Sequence, residues 1–264
     1  MVKLKKLIIN ADDFGYTTGI SYGIIEAFEK GVVTSTTALS VSKQFLEAMK
    51  LAKLICPKMP IGLHLTLTLN KTKPILPKCL ISSLSDEDGF FWDQKLFLEK
   101  VKPEEVYLEW EAQLLKFLES GKRPTHLDSH HNVHGKSEAV LDVILALAKK
   151  YNLPIRNPSR SEATGDLIKL CQDVKMPDRM LADFYGEGAT MENLELLLDS
   201  IQASNDEIFE INVHPALLET DLIACSSYSE QRIEELRILT SPQVKEAIVE
   251  RDILLCNYEI LKRS

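Results

Sequence analysis

The chain has 264 residues, 45% of them hydrophobic and 27% charged, which suits one large α/β domain with a sizeable core. A formal charge of −8 without any Lys/Arg cluster argues against nucleic acid and anionic membrane as main partners, and fits a neutral or cationic small substrate. No apolar run reaches the ~20 residues of a membrane span, the first apolar stretch is too short for a signal-peptide core, and five scattered cysteines without a Cys-x-x-Cys pair suit a reducing, cytoplasmic setting.

Leu4 to Ala11, with the apolar run Leu7-Ile8-Ile9 at its centre, reads as a strand buried on both faces. It leads into Asn10-Ala11-Asp12-Asp13-Phe14-Gly15, where two adjacent carboxylates end an apolar strand. Burying like charges side by side is costly unless a cation or a proton intervenes. The plainer alternative is a surface turn, where Asp and Gly are common. Ile20, Ile24, Ala27 and Phe28 then recur at helical spacing and Gly31 closes the helix. Val32 to Val41 reads as a second strand, Phe45 to Ile55 as a second helix, and Ile61 to Leu67 as a third strand. This alternation implies parallel strands with helical crossovers.

Asn70 to Asp93 breaks the rhythm with Pro74, Pro77, an acidic Asp86-Glu87-Asp88-Gly89 turn and Phe90-Phe91-Trp92. An insertion of this length suggests a lid or substrate loop, whose aromatics either stack on a ligand or anchor the loop to the body. Pro103-Glu104-Glu105 starts a strong helix that Gly121 ends. A short strand over Pro124–Ser129, a helix around Val140 to Leu147 and a strand end at Pro154-Ile155-Arg156 follow. Ser159 to Pro177 is ambiguous, with a helical stretch around Leu167 to Cys171. Met180 to Tyr185 is a candidate strand, Glu192 to Ile201 a helix and Ile208 to Val213 a clear strand. Helices at Glu230–Leu239 and after the Ser241 cap, then a strand over Ile253–Cys256, complete about seven strand–helix units in one domain, closer to a (β/α) barrel than to a flat doubly wound sheet.

All six histidines fall at three places: His64 in the third strand, His126, His130, His131 and His134 within nine positions, and His214 before Pro215. Each place lies at or just past the C-terminal part of an expected strand, as do Asp12 and Asp13. In a parallel barrel those ends converge on one face, where active sites form. His64 alone could be a satisfied barrel histidine, and His214-Pro215 could simply end a strand. The 126–134 cluster is more specific, since so many imidazoles together suggest metal or proton chemistry. With that strand extended, His126, Asp128 and His130 share one face. The set suggests a divalent cation held by one carboxylate and two imidazoles, with a second carboxylate as general base.

At this point the chain resembles the YdjC-like (ChbG-like) carbohydrate deacetylases. The markers are Asn10-Ala11-Asp12-Asp13-Phe14-Gly15, Tyr22-Gly23-Ile24-Ile25-Glu26-Ala27, Val33-Thr34-Ser35-Thr36-Thr37-Ala38-Leu39, Gly62-Leu63-His64, Pro124 to His131, Phe184-Tyr185-Gly186 and His214-Pro215-Ala216. The resemblance implies an α/β fold, a distorted (β/α) barrel like that of the polysaccharide-deacetylase (NodB-like) group, spanning residues 1–264 as a single domain. It implies removal of acetyl groups from N-acetylated sugars or oligosaccharides of the chitooligosaccharide type, and it is compatible with a homodimer. It places one divalent metal ion on Asp13, His64 and His130, the general base on Asp12 and the acid on His214. His126, Asp128 and Arg156 would orient the substrate or the ligands. Asn132 departs from the three consecutive histidines common in relatives, which leaves His130 intact. The resemblance brings Mg²⁺ as the ion, whereas two imidazoles and one carboxylate ordinarily favour Zn²⁺ or another first-row metal. Two other readings stay open: a metal-dependent hydrolase of ester or phosphate bonds, and a non-enzymatic sugar-binding regulator.

Overall fold

A computed structural model of the protein describes residues 4–69, 71–159 and 169–262. The expected first strand is longer than its apolar run: β1 spans Lys5–Phe14 and carries Asp12 and Asp13 inside it. The other strands are β2 (Ser35–Ala38), β3 (Ile61–Leu65), β4 (Leu127–Ser129), β5 (Arg179–Leu181), β6 (Ile208–Val213) and β7 (Ile253–Cys256). All pair in parallel, in the order β4-β3-β2-β1-β6-β5, with β7 also on β1. β6 covers one edge of β1 from Lys6 to Ala11. A strand has only two edges, so β7 (against Lys5–Ile8) and β2 (from Asn10 on) share the other, one after the other.

The barrel is distorted because, among the described residues, no strand joins β4 to β5. Two irregular stretches span that gap: Ile155 bridges to Leu127 and its N–H donates to the Lys175 carbonyl at 2.9 Å, while the Asp178 N–H donates to the Ile208 carbonyl at 2.8 Å. The strand expected at Pro154–Arg156 is therefore a single bridge, and the one expected at Met180–Tyr185 is the shorter, earlier β5. The second strand shrinks to Ser35–Ala38 for a related reason: only there does it have partners on both sides. Part of the ambiguous 159–177 stretch lies outside the described residues, and Lys169–Cys171 forms one 3₁₀ turn.

The helices cover the outside: α1 (Thr18–Lys30), α2 (Phe45–Ile55), the short α3 (Phe97–Lys100), α4 (Pro103–Leu118), α5 (Glu138–Tyr151), α6 (Met191–Ala203), α7 (Thr220–Cys225), α8 (Glu230–Leu239) and α9 (Pro242–Glu250). Their starts are chemically marked, since Thr17, Ser137, Thr190 and Ser241 each accept from a backbone N–H of the first turn. The α1 helix lies tightly against the chain that leaves β6. A Cβ on Gly23 would come within 2.5 Å of the Ala216 Cα, so only glycine permits this approach. None of the described helices is long and apolar enough to cross a membrane.

The inserted loop, of which residues 71–93 are described, has turns and one isolated bridge, Ser85 to Phe91. It is held down by α4. Glu109, fully buried, accepts from the Ile75 and Leu76 N–H groups at 2.8 and 3.0 Å and from the Gln113 amide at 2.9 Å. One turn earlier Glu105 accepts from the Ser83 N–H at 2.7 Å. Of the three aromatics, Phe91 is buried in the core and Trp92 packs against it, so these two anchor the loop, while the Trp92 indole N–H donates to the Ser83 carbonyl within the loop.

Candidate active site

Adjacent residues in a regular strand point to opposite faces, yet Asp12 and Asp13 both line the same cavity. A break in the β1–β2 register between Ala11 and Phe14 explains this. Asp13 takes a left-handed backbone, φ 72°, which swings its side chain round beside that of Asp12. Such a conformation costs a residue with a Cβ about 1–2 kcal/mol, so the surroundings must hold it in place.

They do so with separate counter-charges. Arg156, wholly buried, grips Asp12 through two hydrogen bonds, Nη1 to Oδ2 at 2.8 Å and Nη2 to Oδ1 at 2.6 Å. The Asn10 amide adds a third at 2.9 Å. Arg156 is itself fixed by Glu210 (Nε to Oε1, 2.8 Å) and Asp128 (Nη1 to Oδ2, 3.0 Å). Tyr258 in turn donates to the second Glu210 oxygen at 2.5 Å. Asp13 meets a different set: Arg232 Nη2 at 2.6 Å on Oδ2, with His130 Nδ1 at 3.0 Å and His64 Nε2 at 3.5 Å on Oδ1. Burial alone would raise both carboxyls. Arg156 for Asp12, and His130 with Arg232 for Asp13, outweigh it and hold both well below the usual carboxylate range.

His64 comes from β3 with its Nδ1 2.7 Å from Asp128 Oδ1 and 3.2 Å from the Thr37 hydroxyl, which leaves Nε2 facing Asp13. Burial would depress this imidazole, but Asp128 beside it prevails and raises it to about 10. Directly after β4 the chain turns into a 3₁₀ segment, His130–Gly135, with His131 and Asn132 both at positive φ. This turn ends the expected extended run at Ser129 and brings His130 over Asp13, while His131 meets the Thr68 hydroxyl at 2.9 Å. His214, just past β6, sits between two carboxylates, with Asp12 Oδ2 3.9 Å from Nε2 and Glu235 Oε1 3.8 Å from Nδ1. Tyr185 and Tyr228, stacked with centroids 4.3 Å apart, both meet the His214 ring edge-on.

These groups wall a cavity of about 920 Å³ that also takes in Phe91 and Asp93 of the inserted loop. That volume suits a small ligand. Of the residues singled out from sequence, Asp12, Asp13, His64, His130 and His214 line it. Asp128 and Arg156 lie behind this wall and hold it. His126 lies deeper still, stacked on Tyr258 with centroids 3.5 Å apart and walled in by Gly62, out of reach of a ligand in the cavity.

A family model described as YdjC-like protein matches residues 6–250. The chain belongs to the YdjC-like family. A carbohydrate deacetylase of Enterococcus faecalis (strain ATCC 700802 / V583) is 58% identical over 257 residues, covering 97% of this chain and 98% of that protein. One from Geobacillus stearothermophilus is 38% identical over 251 residues, covering 95% and 96%. Among solved structures, an Enterococcus faecalis V583 protein described as a candidate for cellobiose-phosphate cleavage superposes with a TM-score of 0.96 at 58% identity, covering 97% of this chain and 98% of that one. A family 4 carbohydrate esterase from Streptomyces lividans, solved with acetate, gives a TM-score of 0.51 at 8% identity, with 97% and 93% covered, which shows a shared fold. The distorted barrel expected of this YdjC-like chain is thus the one observed.

The donors of the YdjC-like site suit a divalent ion. Asp13, His64 and His130 each offer one ligand atom, all within 4.8 Å of one another. Asp128 on the outer nitrogen of His64 is the arrangement that orients an imidazole toward a metal. A second group within the same limit, Asp12, His64 and Asp128, is less suitable: Arg156 takes both oxygens of Asp12, and His64 Nδ1 and Arg156 take those of Asp128, whereas Arg232 takes only Oδ2 of Asp13. Arg232, Glu235, Tyr228 and Glu210 escape sequence reasoning, and Thr37 enters it only as part of a family marker, without a role. Charged residues on a helix ordinarily face solvent, yet Arg232 and Glu235 of α8 are buried. Glu210 had a usable signal, since it is a lone carboxylate within the apolar β6 run.

Proposed function

We propose that this chain is a metal-dependent carbohydrate deacetylase that hydrolyses the acetamide of N-acetylated sugars, chitooligosaccharides among them, to acetate and an amino sugar. One observation carries the reading: two neighbouring carboxylates in one cavity have been given different partners, Asp13 two imidazoles on one oxygen and Arg232 on the other, and Asp12 an arginine clamp on both oxygens, facing His214. The activity named for the relatives is the one such a division suits.

Asp13, His64 and His130 would hold the ion, with Mg²⁺ implied by the family and Zn²⁺, Co²⁺ or Mn²⁺ favoured by two imidazoles. When bound, it would polarise the acetyl carbonyl and acidify water. Asp12 stays ionised at every working pH and accepts the proton of the attacking water. The arginine clamp makes it a weak base, so the water must already be acidic. His214, with Nε2 toward Asp12 and Nδ1 toward Glu235, delivers a proton to the departing sugar nitrogen as the C–N bond breaks. Tyr185, 50% exposed and backed by Tyr228, offers a flat face for the sugar ring at the rim. The 70–93 loop, through Phe91 and Asp93, would limit which sugar fits.

Phosphate-bond hydrolysis is less well served. Among the described residues Arg232 is the one Lys or Arg lining the cavity, and Asp13 already binds it. The test is a panel of N-acetylated mono- and oligosaccharides, incubated with protein freed of metal and with protein supplied with each ion. Ion-dependent acetate release from at least one member is expected, and none from any would overturn the reading.

A further inference from the structure

Arg232 comes from α8 rather than from a strand end, yet its buried side chain forms part of the cavity wall. Its Nη2 donates to Asp13 Oδ2 at 2.6 Å, while His130 at 3.0 Å and His64 at 3.5 Å both face the other oxygen, Oδ1. The two oxygens of one carboxylate thus have separate partners. The guanidinium is fixed from behind. Its Nε donates to the Tyr228 carbonyl at 2.9 Å, its Nη1 lies 3.5 Å from the His214 carbonyl, and it stands 5.6 Å over the Tyr228 ring. The Arg232 backbone is held too, since its carbonyl accepts from the Ala216 N–H at 3.2 Å. A cation this close to a metal ligand weakens the hold on every divalent ion by charge repulsion. What it adds to the site is therefore geometry.

We propose that Arg232 is a positioning residue that sets which ion the site takes, by holding Asp13 to a single ligating oxygen. This rests on the metal site of Asp13, His64 and His130 proposed above, and not on which bond the protein cuts. Ca²⁺ gathers roughly six to eight oxygens and readily takes both oxygens of one carboxylate, whereas Zn²⁺ is satisfied by about four ligands, imidazole nitrogens among them. With Oδ2 claimed by Arg232, Asp13 offers one oxygen beside two nitrogens. That set is short of oxygen for Ca²⁺ and adequate for Zn²⁺. The repulsion from Arg232 falls equally on all doubly charged ions, so it cancels in the ratio of two affinities. The lost oxygen does not cancel, because Ca²⁺ needs it and Zn²⁺ does not.

The test is calorimetric titration of metal-free wild type and Arg232→Met with Zn²⁺ and, separately, with Ca²⁺. Thermal melts report whether the variant is folded, and Arg232→Gln, which also lacks the charge and the reach to Asp13, replaces it with the same expectation if it is not. Wild type should prefer Zn²⁺. In the variant, Ca²⁺ binding should tighten by at least about tenfold more than Zn²⁺ binding does. Crystals of the variant grown with Ca²⁺ should show both Asp13 oxygens on the ion, a change that a merely structural role for Arg232 does not produce. Equal shifts for the two ions, a ratio that changes only because Zn²⁺ binds more weakly, or a single Asp13 oxygen on Ca²⁺ would overturn the proposal while leaving the metal site and the deacetylase reading intact. If wild type takes up neither ion, the metal site itself fails and takes this proposal with it.

Discussion

Replacing Asp12 by Asn removes the charge that Arg156 grips but leaves Asp13, His64 and His130 in place. Metal affinity should therefore stay close to wild type while kcat falls by about 10³-fold or more. Calorimetric metal titration and turnover on the same sample separate the two roles, and a wild-type rate would remove Asp12 from the mechanism. Asp13→Ala and His130→Ala should show the reverse pattern, with loss of metal first. His64 adds a pH dependence. Its folded value of about 10 lies above the ordinary 6.5, so in metal-free protein its pairing with Asp128 stabilises fully below about pH 6.5 and fades as pH rises toward 10. The stability gap between metal-free wild type and His64→Asn should accordingly narrow from pH 6 to pH 9.5 in urea denaturation. A metal ligand must be neutral, so ion uptake at pH 7.5 should also release a proton, visible as a buffer-dependent heat. Tyr185→Ala should raise KM by about tenfold with kcat nearly unchanged, the loss of one stacking face. At this scale sequence showed which carboxylates and imidazoles matter, because such residues are rare next to apolar strands. It could not show that Asp12 and Asp13 face the same way, since that depends on a register break created by β2.

The inserted loop and α4 behave as one element. Glu105 and Glu109 are four positions apart, hence on one helix face, and both accept from loop backbone. Glu109→Ala would strand the N–H groups of Ile75 and Leu76 and cost about 2–4 kcal/mol. Urea denaturation would show it as a lower midpoint at unchanged slope, and an unchanged midpoint would mean that the loop is held by its apolar residues alone. Burial keeps the Glu109 carboxyl above the ordinary range, partly offset by the Gln113 amide and the two backbone donors. The loop itself was legible from its prolines and acidic turn. Its anchor was not, because Pro-Glu-Glu at a helix start is fully explained by the helix dipole. The turn after β4 was hidden for a related reason: the alternation of His126, Asp128 and His130 fits an extended strand, and only the structure shows His131 and Asn132 reversing the chain.

For the whole molecule, the divalent ion should act as a ligand that binds only the folded state. At a hundredfold excess over its Kd, it should raise Tm by about 5–10 °C. Chelation should reverse the shift, and Asp13→Ala should abolish it. A Tm indifferent to both chelator and ion would contradict a site built from Asp13, His64 and His130. The barrel was readable because strand and helix patterns alternate. The closure between β4 and β5 was not, since it runs through single hydrogen bonds that leave no periodic pattern. The position of β1 carries one more consequence, and it concerns time. β1 pairs with β6 and β7 from roughly 200 to 250 residues away. At ~5–20 residues per second, a ribosome needs roughly 10–50 s to make that much chain. During synthesis Asp12 and Asp13 therefore wait in water without Arg156 or Arg232, open to any passing cation. The selectivity of the finished site is acquired late, when the arginines arrive and the strand is enclosed.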